Sequence, residues 1–562
     1  MYKLFLCLRY LRRRVIAYFA VLAVALCVAM VLIVASVMDG FLRKMEQAAK
    51  GLYGDVVVQA ASLGGLARYD EFIAEAKRRV PGVEAASPFI GTFGILQVPH
   101  TEYRRGVQVV GIRLPERVDV TDFEKGLWAQ AGRARPDFDP PVRLLLARLN
   151  EHINLTREIK RREQSRIDEG ADVTSDDHLL IRRLDTALAL QRRAMVTLLE
   201  ASRHQKEMAE LSAEIDAIRQ KVGDKPDATL DALEDRLAEL AKLTGYRSPR
   251  YRMILGLGIP ALSFRTEQGE TVRLIAPGHR VVLTLLPLGG SASLTETTPN
   301  TRSFTVVDDC RTDVASIDSE IVYMPLSTLQ VLYGMGTEYR ADDPTKVVKP
   351  PRCTMIHIKV RDEFATSEGQ LREVAREIRG VWADFHAAHP DAAGGSVDVQ
   401  TWRQIQAKYI APIEKQRTLV VLILGIISVV AVVLIFVIFY MIVMQKTRDI
   451  GVLKAVGASN FGVAGIFLGY GAAVGLVGSI IGTVGGFYFV RYINPIQDAL
   501  DRWMGFRVWT KDVFLFEKIP NQVEATTAIW IVICAIVAGL AGALLPAIRA
   551  ARMQPVEALR YE

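Results

Sequence analysis

The sequence has few of the residues and motifs on which catalytic and metal-binding chemistry depends. It contains five cysteines in 562 residues, scattered without a CxxC pair, which argues against a zinc site or a disulfide scaffold. The phosphate-binding pattern GxxxxGKS/T and the zinc-protease pattern HExxH are both absent. The chain is therefore not expected to hydrolyse ATP itself, and we predict no catalytic residues, no metal site and no cofactor of its own. Cys310 and Cys353 share the large polar region, and the sequence does not decide whether they form a disulfide.

Charge is missing from four long stretches, although 23% of all residues are charged and 50% are hydrophobic. The uncharged stretches cover residues 15–37, 418–444, 461–490 and 526–548. Each reaches the roughly 20 residues that a helix needs to cross a bilayer, whereas residues 38–417 contain no comparable stretch. We predict an α-helical membrane protein with four transmembrane helices and a large extracytoplasmic domain.

Basic residues lie beside the apolar stretches, so the net charge of +7 suggests contact with anionic lipids and argues against nucleic acid. Residues 1–14 predict a basic amphipathic helix on the membrane surface. Segments 445–460 and 549–562 are also net basic, whereas the loop 491–524 is balanced. The positive-inside rule therefore places both termini and segment 445–460 in the cytoplasm, and residues 38–417 outside.

A charged start before an apolar stretch also describes a cleaved signal peptide. The first stretch is long for such a peptide, and no A-x-A cleavage site follows it. These two features favour an uncleaved anchor.

The large polar region mixes short β-like runs with helical patterns, which predicts an α+β domain. The helical patterns cover Asp70–Val80 and Phe364–Ile378. The β-like runs are Asp55–Gln59, Gly106–Ile112, Met253–Leu255, Arg273–Ile275, Ser303–Val307, Ile321–Met324 and Met355–Val360.

Residues 127–248 form a charged helical insertion in this domain. Apolar residues recur about every 3.5 positions from Leu184 to Val222 and again from Leu230 to Leu240, with GDKPD between the two segments. This pattern predicts a coiled-coil-like antiparallel hairpin, with Val142–Ile167 as a further helix. The hairpin is either self-contained or an arm that contacts a periplasmic partner or a second protomer.

The third apolar stretch is rich in glycine at intervals of four residues. The pairs are Gly465 and Gly469, Gly471 and Gly475, and Gly478 and Gly482. Small residues at this spacing allow transmembrane helices to approach closely. We therefore predict that this span packs tightly against its neighbours.

The polar segment after the second stretch, Gln445–Asn460, keeps helical periodicity. Ile450, Leu453 and Val456 recur about every three residues among charged residues, which predicts a short amphipathic helix at the membrane surface. It is either a solvated loop whose basic residues set the topology, or a docking helix for a cytoplasmic partner.

This segment, QKTRDIGVLKAVGAS, resembles the coupling-helix signature of the ABC transporter permeases that include the lipoprotein-releasing, macrolide-efflux and FtsX types. The family usually has Glu where this chain has Asp449. The segment Ala35–Phe41 and the C-terminal QPVEALRYE resemble the lipoprotein-releasing branch. Further weak matches follow in family order, at Val80–Phe89, Val107–Glu116, Ile254–Ser263, Ser303–Asp309, Ile321–Leu332 and Val399–Trp402.

The resemblance implies a permease subunit, not an enzyme, that extracts lipoproteins from the cytoplasmic membrane. The implied partners are an ABC ATPase subunit that binds ATP and Mg, a second permease protomer, a lipoprotein substrate, a periplasmic lipoprotein chaperone and membrane lipids. The implied location is the cell inner membrane. The alternatives are an FtsX-like regulator of a cell-wall hydrolase and a macrolide-type efflux permease.

The resemblance also suggests two groups of functional residues, and position in the membrane suggests a third. ATPase coupling is assigned to Lys446, Arg448, Asp449, Ile450, Gly451, Leu453, Lys454 and Gly457. Chaperone binding is assigned to a hook-like loop at 276–302, which could equally be a plain surface loop, through Val282, Leu283, Leu285, Leu286, Pro287 and Leu288. Lipid or substrate contact is assigned, from position near the outer leaflet alone, to Met38, Phe41, Ile426 and Val430.

Overall fold

A computed structural model describes most of the chain. The residues outside the description are 1–14, 63, 100, 170–174, 223–231, 234–250, 261, 267, 287–297, 313–317, 341–346, 394, 505–518, 520 and 555–562. The predicted N-terminal amphipathic helix and the second arm of the predicted hairpin fall among them. The chain divides into a helical unit, Met1–Gln47 with Gln406–Glu562, and a sheet domain, Ala48–Ile405.

The helices and strands are numbered in chain order. The helices are α1 (Val15–Tyr53), α2 (Tyr69–Arg79), α3 (Leu114–Val120), α4 (Phe123–Gly126), α5 (Val142–Asp168), α6 (Ser175–Val222), α7 (Leu326–Tyr333), α8 (Glu368–Ala388), α9 (Trp402–Gln445), α10 (Thr447–Ala455), α11 (Asn460–Arg491), α12 (Ile493–Met504) and α13 (Ala525–Arg552). The strands are β1 (Val56–Ala60), β2 (Leu66–Ala67), β3 (Val83–Gln97), β4 (Arg104–Ile112), β5 (Arg252–Gly256), β6 (Ser263–Arg265), β7 (Thr271–Arg273), β8 (Arg280–Leu285), β9 (Asn300–Cys310), β10 (Ile321–Pro325), β11 (Glu338–Tyr339), β12 (Val347–Lys349), β13 (Arg352–Cys353), β14 (Met355–Val360) and β15 (Val397–Thr401).

Among the residues that the structure describes, four helices are long and apolar enough to cross a membrane, which confirms the predicted class. They lie in α1, α9, α11 and α13 and extend over 36, 36, 32 and 28 residues. At 1.5 Å per residue even the shortest spans about 42 Å, more than the roughly 30 Å of bilayer hydrocarbon. Their shared core is apolar and contains Val21, Val24, Val28, Ile435, Phe439, Val474 and Ala543.

Glycines on α11 allow its backbone to approach two other helices. A Cβ atom at Gly471 would lie 2.6 Å from the Cβ of Ala543 on α13, and one at Gly478 would lie 2.7 Å from the Cβ of Val24 on α1. Both distances are too short for real side-chain atoms, so only glycine fits. The predicted tight packing of the third span is confirmed at these two positions.

The main sheet of the other unit has nine strands, in the order β15-β1-β14-β3-β4-β10-β5-β9-β8. Strand β3 pairs with β14 through its first half, where Phe89 faces Met355, and with β8 through its second half, where Gly94 faces Leu285. Strand β8 stands at the end of this order and also pairs with β3. The strands β3, β4, β10, β5, β9 and β8 therefore close into a ring. Gly94 allows a close approach at the closure, because a Cβ there would lie 2.8 Å from a methyl group of Leu285 and 3.0 Å from the backbone oxygen of Thr284.

The sheet confirms the predicted α+β class, although the sequence patterns missed some strands. Six of the predicted β-like runs coincide with strands, whereas Arg273–Ile275 overlaps β7 only at Arg273. Strands β3, β8 and β15 were not predicted. Cys310 and Cys353 are both free and buried, so the possible disulfide is not formed.

Helices α1 and α9 connect to the sheet domain through neighbouring strands. Strand β1 follows α1, and β15 precedes α9; the two strands are antiparallel partners, with Val56 opposite Thr401. The backbone N–H of Trp402 also donates to the carbonyl of Asp55, at 3.0 Å. The ends of both helices are therefore tied to one strand pair.

The insertion contains an antiparallel pair formed by α5 and α6. Lys160 binds Asp185 at 2.6 Å, and Gln191 donates to the hydroxyl of Thr156 at 3.3 Å. Apolar residues fill the interface, among them Leu145, Leu149, Ile153, Leu188 and Leu198. The helix at Val142–Ile167, predicted as a separate element, is the partner of α6 in the described part of the chain, and a coiled coil is not confirmed.

A network of buried hydrogen bonds attaches the α5–α6 pair to the sheet domain. The backbone of Arg273 binds both helices: its N–H donates to His152 on α5 at 3.1 Å, and its carbonyl accepts from Gln191 on α6 at 2.8 Å. Its guanidinium binds Asp309 on β9 and lies 4.1 Å from the ring centre of Trp128. Burial lowers the pKa of His152 to about 3, so the ring stays neutral.

Asp308 holds the start of the insertion. Its carboxylate accepts from the backbone N–H groups of Ala129, Gln130 and Asp309 at 2.7, 3.1 and 2.8 Å. Burial raises the pKa of Asp308 to about 7 despite these donors. Together with the Arg273 network, these bonds make the insertion a rigid extension of the domain at its root.

The glycine packing of α11 predicts an asymmetric response to substitution. Gly478→Val forces side-chain atoms into the backbone of α1 and should destabilise the helical unit by about 1–3 kcal/mol. Gly485→Val on the same helix is the control, because a Cβ there meets nothing within 4 Å. Thermal unfolding of the detergent-purified chain measures both variants, and equal effects would contradict the packing.

Candidate functional site

The short helix α10 lies between two membrane helices and has its own end signals. Lys446 precedes it and forms an ion pair with Asp449 in its first turn. Gly457 ends it with a φ of 103°, a conformation that favours glycine. Ser459 then begins α11 by accepting a hydrogen bond from the N–H of Gly462 at 3.1 Å. The predicted amphipathic helix is therefore present, bounded by tight turns on both sides.

One face of α10 packs onto the helical unit. Ile450 is 2% exposed and joins Val443, Val463 and Ala550 in a small apolar cluster. Gly451 is also buried. These contacts link α10 to α9, α11 and α13, so the helix is part of the membrane unit and not a loose loop.

Lys454 lies on the same face, one turn after Ile450, and binds the C-terminal end of α13. Its ammonium group donates to the carbonyls of Ala551 and Met553, at 2.6 and 2.7 Å. The last carbonyls of a helix lack intrahelical partners and carry the negative end of the helix dipole. A cation at this point therefore holds α10 and α13 together.

The opposite face of α10 is exposed. Arg448 and Val452 are four residues apart and share this face with Val456, which is 85% exposed. Phe461, at the start of α11, is 92% exposed. Exposed Val452 and Val456, at helical spacing from charged Arg448, form a surface suited to a protein partner. We call this surface the docking face.

The eight residues predicted for ATPase coupling fall into three groups by exposure. Arg448, Asp449 and Gly457 are exposed, whereas Ile450 and Gly451 are buried. Lys446, Leu453 and Lys454 are partly exposed. Val452 and Phe461 were not in the predicted set, although Val452 could have been found from its four-residue spacing to Arg448.

In the predicted hook-like region, β8 and β9 are antiparallel partners, and residues 287–297 between them lie outside the described residues. Leu283 and Leu285 are buried on the inner side of the ring, and Val282 is half-buried. Leu286 is exposed, and Pro287 and Leu288 lie outside the described residues. The alternation of strand side chains explains why only part of the apolar segment reaches solvent.

An apolar patch lies beside this strand pair on the outer side of the ring. Phe93 and Ile95 on β3 are 77% and 51% exposed. Ile95 faces Thr284 on β8, so Leu286, two residues further on, lies on the same side. The sequence analysis missed Phe93 and Ile95 because glycines interrupt the alternation around them.

The four residues predicted to contact lipid or substrate lie at different levels along the helices. Met38 and Phe41 flank Asp39 on α1, whose carboxylate binds Arg417 on α9 at 2.8 Å. Ile426 and Val430 are exposed on α9, at least nine residues beyond Arg417. Nine residues correspond to about 13 Å along a helix, so the two pairs do not form one cluster.

These features define a class: a multi-pass membrane protein with four apolar helices, a short helix held against their ends, and a large α+β domain. Comparison with known families agrees. Residues 421–555 match the FtsX-like permease C-terminal domain, and residues 18–145 match the MacB-like periplasmic core domain. Over these two regions the chain is therefore similar to ABC transporter permeases of the FtsX and MacB types.

Similar proteins include lipoprotein-releasing system transmembrane proteins. The chain is 27% identical over 221 residues to LolC of Xylella fastidiosa, covering 39% of this chain and 50% of that protein. It is 25% identical over 312 residues to LolC of Neisseria meningitidis, covering 56% and 65%. It is 28% identical over 119 residues to LolE of Haemophilus influenzae, covering 21% of this chain and 29% of that protein. The matches thus span from about a third to two thirds of the relatives' lengths.

The contact between Lys454 and α13 predicts a local effect of substitution. Lys454→Met removes two charge-assisted hydrogen bonds and should weaken the last turn of α13 by about 1.5–3 kcal/mol. Hydrogen exchange of the Arg549–Arg552 amides in the detergent-purified chain should then be faster. Lys454→Arg, which keeps the cation, should retain most of the protection; the same exchange in both variants would contradict the contact.

Proposed function

We propose that the chain is the membrane subunit of an ABC-type machine that extracts lipoproteins from the cytoplasmic membrane, driven by a separate ATPase. The observation that carries the proposal is α10, which is fastened to the membrane helices on one face and exposes charged and apolar residues on the other. A partner that pushes on the docking face would move α13 through Lys454 and Ile450, and α9 and α11 through the chain itself.

The relatives named as lipoprotein-releasing proteins support the substrate class. A lipid anchor is costly to expose, at about 0.8 kcal/mol for each buried CH₂ group. Extraction therefore needs a coupled energy source and an apolar acceptor. The exposed apolar patch of Phe93, Ile95 and Leu286 beside the β8–β9 strand pair would suit docking of such an acceptor, a periplasmic lipoprotein chaperone. A second permease protomer, identical or different, would complete the pathway.

The proposal requires an orientation in the cell inner membrane, with both termini and α10 in the cytoplasm and the sheet domain in the periplasm. Cysteines introduced singly as Arg448→Cys and Arg302→Cys, both exposed positions, allow a test in intact cells. A membrane-impermeant maleimide should label only the second. Labelling of both from the same side would contradict the orientation and the proposed function with it.

Release itself is tested in proteoliposomes that contain the full chain and the ATPase subunit that co-purifies with it. A synthetic triacylated lipopeptide should leave the vesicles only with ATP and an apolar-cavity acceptor. Val456→Asp places a charge on the docking face and should reduce ATPase binding and lipopeptide release together. The affinity for the ATPase should fall tenfold for each loss of about 1.4 kcal/mol of binding free energy. Val348→Asp, at another exposed valine in the sheet domain, is the control and should keep both. Equal lipopeptide release with and without ATP would overturn the proposal.

A second function has one observation in its favour. The insertion is rooted in the sheet domain by the buried Arg273 and Asp308 bonds, so the α5–α6 pair would move with that domain as an arm. An arm of this kind suits an FtsX-like regulator that passes ATPase motion to a cell-wall hydrolase. Mass spectrometry of molecules that co-purify with the chain separates the two: triacylated lipoproteins support release, and a bound hydrolase without them supports regulation.

A further inference from the structure

Arg117 is a buried cation in the sheet domain. It lies on α3 and is 2% exposed. Burial lowers its pKa to about 10, which still leaves the guanidinium charged at neutral pH. Among the residues that the structure describes, no carboxylate forms an ion pair with it. A buried charge without a counter-charge is costly, so its neighbours must supply the compensation.

One of these neighbours is His357 on β14. Nη1 of Arg117 lies 2.6 Å from Nδ1 of His357. Because arginine can only donate, Nδ1 must accept, and the ring carries its proton on Nε2. Burial and the nearby Arg117 lower the pKa of His357 well below its ordinary value, which keeps the ring neutral. The ring also stacks on Phe89, with centroids 4.5 Å apart, so its position is fixed from two sides.

The second neighbour is the C-terminal end of α1. Nη2 of Arg117 donates to the carbonyl of Leu52 in the last turn of that helix. This carbonyl is one of the last four of the helix, which lack intrahelical partners and carry the negative end of the dipole. The end of the first membrane helix therefore supplies the compensation that a carboxylate would otherwise provide.

Gly54 and Asp55, which follow α1, are also fixed by hydrogen bonds. Gly54 ends α1 with a φ of 73° and donates to the carbonyl of Lys50 at 2.8 Å. The N–H of Asp55 donates to Ile358 on β14 at 2.9 Å, and its carboxylate accepts from the N–H of Val360 at 3.0 Å. The end of α1 thus has no free hinge between its last turn and the sheet.

We infer that Arg117 is a positioning residue that fastens the last turn of α1 to β14, so that displacement of the first membrane helix moves the sheet domain with it. The inference rests on the proposed function, because it concerns how motion of the membrane helices reaches that domain. Arg117 contacts neither substrate nor nucleotide in this scheme. It converts helix movement into sheet movement by preventing the last turn from yielding.

The fastening is tested first on the full chain in nanodiscs, without any partner. Arg117→Met should accelerate hydrogen exchange of the Gly54 and Asp55 amides about tenfold, the effect of losing roughly one charge-assisted hydrogen bond. Arg252→Met is the matched control, because Arg252 is also buried but binds Asp139 and the carbonyl of Phe138. Unchanged exchange in Arg117→Met would overturn the inference. Arg117→Lys, which keeps the charge, serves if the methionine variant does not fold.

The transmission is tested in the proteoliposomes with the ATPase. Arg117→Met should keep ATPase binding and hydrolysis, while lipopeptide released per ATP hydrolysed falls about fivefold or more. Arg252→Met should keep the wild-type ratio even if it lowers thermal stability. A normal ratio in Arg117→Met would overturn the inference. If the wild-type chain releases no lipopeptide, the proposed function fails, and the exchange measurement still decides whether Arg117 fastens α1.

Discussion

Cationic side chains bind the free carbonyls at the C-terminal ends of two membrane helices. Lys454 binds Ala551 and Met553 at the end of α13, and Arg117 binds Leu52 at the end of α1. Both contacts use the same physics, because the unpaired carbonyls concentrate the negative end of the helix dipole. Such a bond opposes fraying of the helix end, and in the proposed function it would pass force from the cation to the helix.

Each unit of the chain is also rigid for a reason of its own. In the helical unit, glycines of α11 bring backbones into direct contact, where no side chain is left to rearrange. In the sheet domain, the return of β8 to β3 closes a ring of strands, so β8 is not left as an edge strand. Both kinds of close packing suit a protein whose proposed work is mechanical.

Much of the helical unit was predictable because its signals are local. The four spans follow from charge-free length, and α10 follows from helical periodicity, although Val456, one of the residues in that pattern, lies just after the helix and is 85% exposed. The resemblance in Gln445–Asn460 singled out the same segment, and its role in ATPase coupling stays a prediction. Spacing did not separate Ile450 and Lys454, which face the membrane unit, from Val452 and Phe461, which face outward. That division depends on where α13 ends, about a hundred residues later in the chain.

The sequence by itself determined the membrane class, the positions of the spans, the α+β character of the polar region and the existence of α10, because periodicity and charge-free length act within one segment. Only the tertiary structure decided that Leu283 and Leu285 are buried in a closed ring, that α5 is the partner of α6, and that Arg117 and Lys454 bind helix ends. These features join residues tens to hundreds of positions apart. No local pattern encodes such contacts, since they arise from chain topology and from the need to pair buried polar groups.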